Sequence, residues 1–130
     1  MADRHVLVVE DNEKNMTLVR DVLQATGYST LEATTGEDAV ELALSRKPAL
    51  VLMDVQLPGI DGMEALARLR RDERTASIPV LAVTAEAMSG DCERFLEVGF
   101  NGYLSKPIDL DELIQAVREH CDGGWTARPL

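Results

Sequence analysis

Five short apolar runs alternate with five longer amphipathic stretches along 130 residues. The runs are His5–Val9, Ser29–Ala33, Leu50–Met53, Val80–Thr84 and Gly102–Ser105. Strand–helix alternation is repeated five times. It predicts an α/β fold with a parallel sheet covered by helices on both faces. Leu50–Met53 and Val80–Thr84 are apolar at successive positions, as strands buried on both faces should be. With five strands the expected order is 2-1-3-4-5, a doubly wound flavodoxin-like sheet.

The helices are read from 3.6-residue spacing and from their ends. The first runs from about Asn12 to Thr26 on Met16, Val19, Val22 and Leu23, and Gly27 ends it. Thr35 opens the second, which reaches about Arg46 before Pro48. The third covers about Gly62–Asp72, after a Pro58-Gly59 loop. The fourth is expected from about Ala87 to Val98, closed by Gly99. The fifth opens on Asp109 with Glu112 and carries Leu110, Leu113, Ile114, Val117 and Cys121. One domain over residues 1–121 is expected, with 122–130 as a short tail and no room for an output domain.

Charge narrows the function. The formal net charge is -10, unlike the basic surface that nucleic acid or an anionic membrane requires. No apolar run approaches a membrane span, and the amino terminus does not read as a signal peptide. Cys92 and Cys121 are too few and too far apart for a disulfide framework or a zinc site. A cytoplasmic location is expected.

In such a sheet, ligands bind beyond the carboxyl ends of the strands, where the strand order reverses. Here that point lies between strands 1 and 3. Glu10 and Asp11 follow the first strand and Asp54 follows the third, so three carboxylates meet. Like charges this close call for a cation, and magnesium suits an oxygen-only set; manganese is the alternative. A carboxylate can attack phosphorus, which makes Asp54 a candidate aspartyl-phosphate acceptor. Lys106 would add positive charge, Thr84 a hydroxyl, and the amides after Asp54 and Thr84 further donors.

Glu10-Asp11-Asn12, Leu52-Met53-Asp54, Leu57-Pro58-Gly59-Ile60-Asp61-Gly62, Val83-Thr84-Ala85 and Leu104-Ser105-Lys106-Pro107 stand in one order. Together they resemble the receiver domain of two-component response regulators, the CheY-like superfamily, over about Arg4 to His120. Asn15-Met16 and the run Thr84–Asp91 are similar to DivK-type single-domain regulators, and similar stretches occur in receivers of hybrid kinases. The resemblance implies a signalling domain that catalyses only its own magnesium-dependent phosphorylation and dephosphorylation. It implies Asp54 as acceptor, with Thr84 and Lys106 gripping the phosphoryl group. Asp11 would bind the metal directly, Glu10 through water, and Gln56 through its backbone carbonyl. Thr84 and Tyr103 would form the switch, and the Lys106–Pro107 bond would be cis.

The implied partners are a histidine kinase or histidine phosphotransfer protein, docking near Asn15 and Met16. Downstream proteins would meet the helix 4–strand 5–helix 5 face of a monomer or weak homodimer. Plainer readings stand beside these. Alone, Asp54 would read as a strand-end acid, Thr84 as a β-branched strand residue, and Tyr103 as a static aromatic. A haloacid-dehalogenase-like phosphatase needs a second Asp where Gln56 stands, and a flavin-phosphate binder would be repelled by Glu10 and Asp11.

Overall fold

The computed structural model describes residues 5–57, 59–85 and 89–121, with only the backbone described for 89–93. Its elements are β1 (His5–Val9), α1 (Glu13–Ala25), β2 (Ser29–Ala33), α2 (Gly36–Arg46), β3 (Leu50–Asp54), α3 (Gly62–Arg71), β4 (Val80–Thr84), α4 (Ser89–Val98), β5 (Gly102–Ser105) and α5 (Leu110–Cys121). The five strands form one sheet in the order β2-β1-β3-β4-β5, and all pairings are parallel. The expected fold is the observed one. Pro58, Glu86–Met88 and residues 122–130 lie outside the described residues, and so does the expected start of the fourth helix.

The pleat splits the core into two layers. Leu7, Val9, Val51, Met53, Val80 and Ala82 face one side, where α2 and α3 bring Ala39, Ala43, Ala65, Leu66 and Leu69. Phe95 of α4 joins them and meets Phe100 edge to face, with ring centroids 5.9 Å apart. Val6, Val8, Leu50, Leu52, Leu81, Val83 and Leu104 face the other side, against Met16, Val19 and Leu23 of α1 and Leu113 and Val117 of α5.

Four helix starts are capped by side chains that accept otherwise unpaired backbone N–H groups. Asn12 accepts from Asn15, Thr35 from Asp38, Asp61 from Glu64, and Asp109 from Asp111 and Glu112. Two helix ends close as Schellman motifs around a left-handed glycine. At Gly27 (φ 101°), Tyr28 N–H donates to Leu23 O at 3.0 Å. At Gly99 (φ 116°), Phe100 N–H donates to Phe95 O at 3.1 Å. α2 ends differently: Lys47 itself takes the left-handed conformation (φ 47°), before Pro48.

Candidate functional site

The ends of β1 and β3 bring the acids together. β1 and β3 are hydrogen-bonded neighbours, in register Val9↔Met53, so Glu10 just past β1 and Asp54 at the end of β3 stand side by side. One carboxylate oxygen from each of Glu10, Asp11 and Asp54 lies within 4.8 Å of the others. Glu10 and Asp54 are buried, and Asp11 is exposed.

Hydrogen bonds aim these groups. Glu10 Oε2 accepts the Asn12 amide at 3.1 Å, and Asp54 Oδ1 accepts the Gln56 amide at 3.0 Å. Lys106 reaches in from beyond β5. Its Nζ is 2.9 Å from Asp54 Oδ2 and 3.3 Å from Glu10 Oε1. At 2.9 Å one ammonium–carboxylate pair gains about 5 kcal/mol at an effective dielectric near 20, and the same ammonium also faces Glu10. The lysine thus offsets the buried pair. Three carboxylates and one ammonium still leave two negative charges over, the charge of one divalent cation. The donors are hard oxygens, so the set fits magnesium.

Titration follows this arrangement. Burial is the main cause that pushes the Glu10 carboxyl above its ordinary value, and the Asp54 charge adds to it. The Asn12 amide and Lys106 pull the other way without cancelling it. Burial alone would lower Lys106, but the hydrogen bond and charge of Asp54, with Glu10 adding, outweigh it and raise the ammonium above its ordinary value. A raised carboxyl contributes stability that is fully present below its ordinary value of 4.5 and is lost as pH rises through the raised one. Urea unfolding of Glu10→Gln beside wild type, with a chelator present, should show the variant gaining relative stability from about pH 4.5 to 7.5. A pH-independent difference would mean that burial does not tax the Glu10 carboxylate.

Thr84 ends β4 beside the site. It is buried, and its carbonyl accepts the Lys106 amide at 2.8 Å. The Lys106–Pro107 peptide is cis, as expected. Gln56 lies two residues beyond Asp54 with an exposed side chain. Tyr103 of β5, opposite Ala82, is 40% exposed.

One expectation needs correction. The Val55 amide, directly after Asp54, donates to Val83 O at 3.1 Å and continues the ladder. It is therefore committed to the sheet. Met16, beside the expected docking edge, is buried in the core, as its place in the stripe with Val19 and Leu23 implies. Leu18 is the exposed apolar residue of α1 instead, at 44%. The signal was in the sequence: Leu18 is out of phase with Met16, Val19 and Leu23. It borders a groove of about 410 Å³ with Asn15, Ala85, Lys106, Pro107 and Ile108, directly beside the acid cluster.

The chain is similar to known proteins over most of its length. The polar-differentiation response regulator DivK of Brucella ovis is 44% identical over 117 residues, covering 90% of this chain and 95% of its own. The receiver domain of a Pseudomonas aeruginosa sensor histidine kinase, solved with magnesium in its active-site cleft, is 35% identical. It superimposes with a TM-score of 0.85, over 93% of this chain and 99% of that one. A chain from the co-crystal of the Saccharomyces cerevisiae phosphotransfer protein Ypd1 with the receiver domain of its downstream regulator Ssk1 matches at 29% identity and TM-score 0.84. That match covers 92% of this chain and 90% of the other. The sequence pattern of the response regulator receiver domain matches residues 6–118. On its fold, its acid cluster and these likenesses, the chain belongs to the receiver domains of two-component response regulators, and within them it is similar to DivK.

Proposed function

We propose that this receiver takes a phosphoryl group onto Asp54 in a magnesium-dependent reaction, from a histidine kinase or a histidine phosphotransfer protein. The observation that carries the proposal is the convergence of Glu10, Asp11 and Asp54, with Lys106 Nζ 2.9 Å from Asp54 Oδ2. An Asp54 carboxylate oxygen attacks phosphorus, a P–O bond to Asp54 forms, and the bond to the donor's imidazole nitrogen breaks. The imidazole keeps the electron pair and takes a proton from solvent, so no redox partner is needed. Glu10, Asp11, Asp54 and the Gln56 carbonyl are the residues that would hold the metal, which when bound supplies positive charge to the phosphoryl oxygens. Lys106 contributes a second positive charge from the other side, and the Thr84 hydroxyl serves an oxygen of the transferred group.

Two surfaces suit the partners. The groove by Leu18 and Asn15 opens beside Lys106, so a donor seated there has its phosphohistidine within reach of Asp54. Among the described residues, Leu96 and Val98 on α4, Tyr103 on β5 and Leu110 on α5 are large, apolar and exposed. Exposed apolar residues on these three elements suit a downstream protein. Phosphorylation would draw Thr84 toward the new oxygens and let Tyr103 follow, changing that face. A cytoplasmic location accords with these protein partners. No helix among the described residues is long and apolar enough to cross a membrane.

The test uses purified protein, magnesium and a small acyl-phosphate donor, read by intact mass. One phosphoryl mass is expected with magnesium and none after chelation. Equal labelling with and without magnesium would remove the metal from the reading.

A further inference from the structure

Arg70 sits in the last turn of α3, at the sheet edge opposite the acid cluster. Its guanidinium makes four hydrogen bonds, all to uncharged acceptors. Nη1 donates to Ala76 O at 3.1 Å and Ile78 O at 2.7 Å, on the segment entering β4. Nη2 donates to Gly99 O at 2.9 Å and Asn101 Oδ1 at 2.8 Å, on the turn from α4 into β5. Among the described residues Arg70 makes no ion pair. A planar fork of fixed donors is used here to gather carbonyls, a task of geometry rather than charge pairing.

Asn101 completes the clasp. Its N–H donates to Val80 O at 2.8 Å, and its Oδ1 also accepts the Val80 N–H at 2.9 Å. The residue before β5 is thus closed in a ring onto the first residue of β4. The Arg70 contact fixes which end of the Asn101 amide faces Val80, because only the oxygen can accept both donors.

β5 needs such a device. Register is normally set by the buried face of a strand. β5 has four residues and buries only Leu104, and β4 beside it is buried throughout. The hydrophobic pattern therefore discriminates weakly among pairings. A two-residue slip keeps the same face inward and moves the strand by about 6.6 Å. Lys106 is one residue past β5, and its Nζ and amide reach Asp54 and Thr84 at 2.9 and 2.8 Å. A shift of that size breaks both contacts.

We propose that Arg70 and Asn101 are positioning residues for Lys106: they set the register of β5 on β4 at one edge of the sheet and so hold the ammonium at the acid cluster on the other. The functional half rests on Asp54 as phosphoryl acceptor; the structural half does not.

The experiment measures two quantities in Arg70→Met, Asn101→Leu and Asn101→Asp: hydrogen exchange of the Lys106 amide, and the rate of phosphoryl gain with magnesium and acetyl phosphate. Arg70→Met and Asn101→Leu should each speed the exchange and slow the gain about tenfold, the size of an ordinary coupling between residues acting as a unit. Asn101→Asp keeps the acceptor and should restore wild-type behaviour in both. In a Lys106→Met background, neither Arg70→Met nor Asn101→Leu should slow the reaction further, because what they position is gone. Unchanged Lys106 exchange in the folded variants overturns the proposal. So does a slowing of equal size in the Lys106→Met background, which would mark a general structural effect. Should Asn101→Leu not fold, Arg70→Met and Asn101→Asp decide by the same two readouts. A wild-type protein that gains no phosphoryl mass removes Asp54 as acceptor, and the exchange data alone then judge the clasp.

Discussion

Asp54→Asn should gain no phosphoryl mass under conditions that label the wild type fully. The substitution keeps the shape of the side chain and removes the charge that makes its oxygen a nucleophile. Partial activity is not expected, because neither neighbouring carboxylate can stand in. Glu10 is held by the Asn12 amide and faces Lys106, and Asp11 is exposed at the rim. The variant should also shift Glu10, since the Asp54 charge is one of the causes that raise its carboxyl. In Asp54→Asn that carboxyl should titrate lower than in wild type, measurable by carboxyl-carbon NMR of the metal-free protein. A Glu10 carboxyl lowered in this way but still above its ordinary value of 4.5 shows that burial, the main cause, persists and that the variant is folded. Label that persists in the Asp54→Asn variant, mapped to another residue, would assign the acceptor elsewhere.

Gly62→Ala should cost about 3 kcal/mol of stability, the upper range for forcing a methyl into a packed site. A Cβ on Gly62 would stand 2.5 Å from Asp54 O and 2.8 Å from Val55 Cα. Both are backbone atoms, so no side chain can turn aside. The Gly62 N–H also donates to Val55 O at 2.9 Å, which ties the start of α3 to the end of β3. Either α3 moves out or the end of β3 carrying Asp54 moves. The midpoint of thermal unfolding should fall by roughly 10 °C. Gly27→Ala is the control. There a Cβ meets nothing within 4 Å, and only the left-handed backbone resists, worth about 1 kcal/mol. Equal losses at both positions would mean that the close approach at Gly62 carries no special cost.

Much of this was readable from the chain. The bounds of β1, β2, β4 and β5 match the runs read from the sequence, and β1 and β4 are almost wholly buried, as strands inside a parallel sheet should be. β3 runs one residue further than its apolar run and takes in Asp54, which still pairs with Val83. The acid cluster was legible for a topological reason: strands 1 and 3 are neighbours only if the order reverses between them. What the residues concealed depends on backbone groups. Nothing in the sequence says that the Val55 amide is spent on Val83. Lys47 does not announce a left-handed turn as a glycine would. Arg70 reads as one of three basic residues closing α3, since its acceptors are mostly carbonyls and carbonyls carry no residue signature.

Both outer strands are poor templates for aggregation. β2 carries Glu32 on its exposed side, salt-bridged to Arg20 of α1 at 3.4 Å. An intruding chain that sought to extend the sheet there would have to dislodge a charged pair. On the far flank only four residues are on offer, and two of them, Tyr103 and Ser105, show no apolar continuity for a stranger to match. A receiver domain built this way exposes little unpaired backbone to amyloid-like self-association.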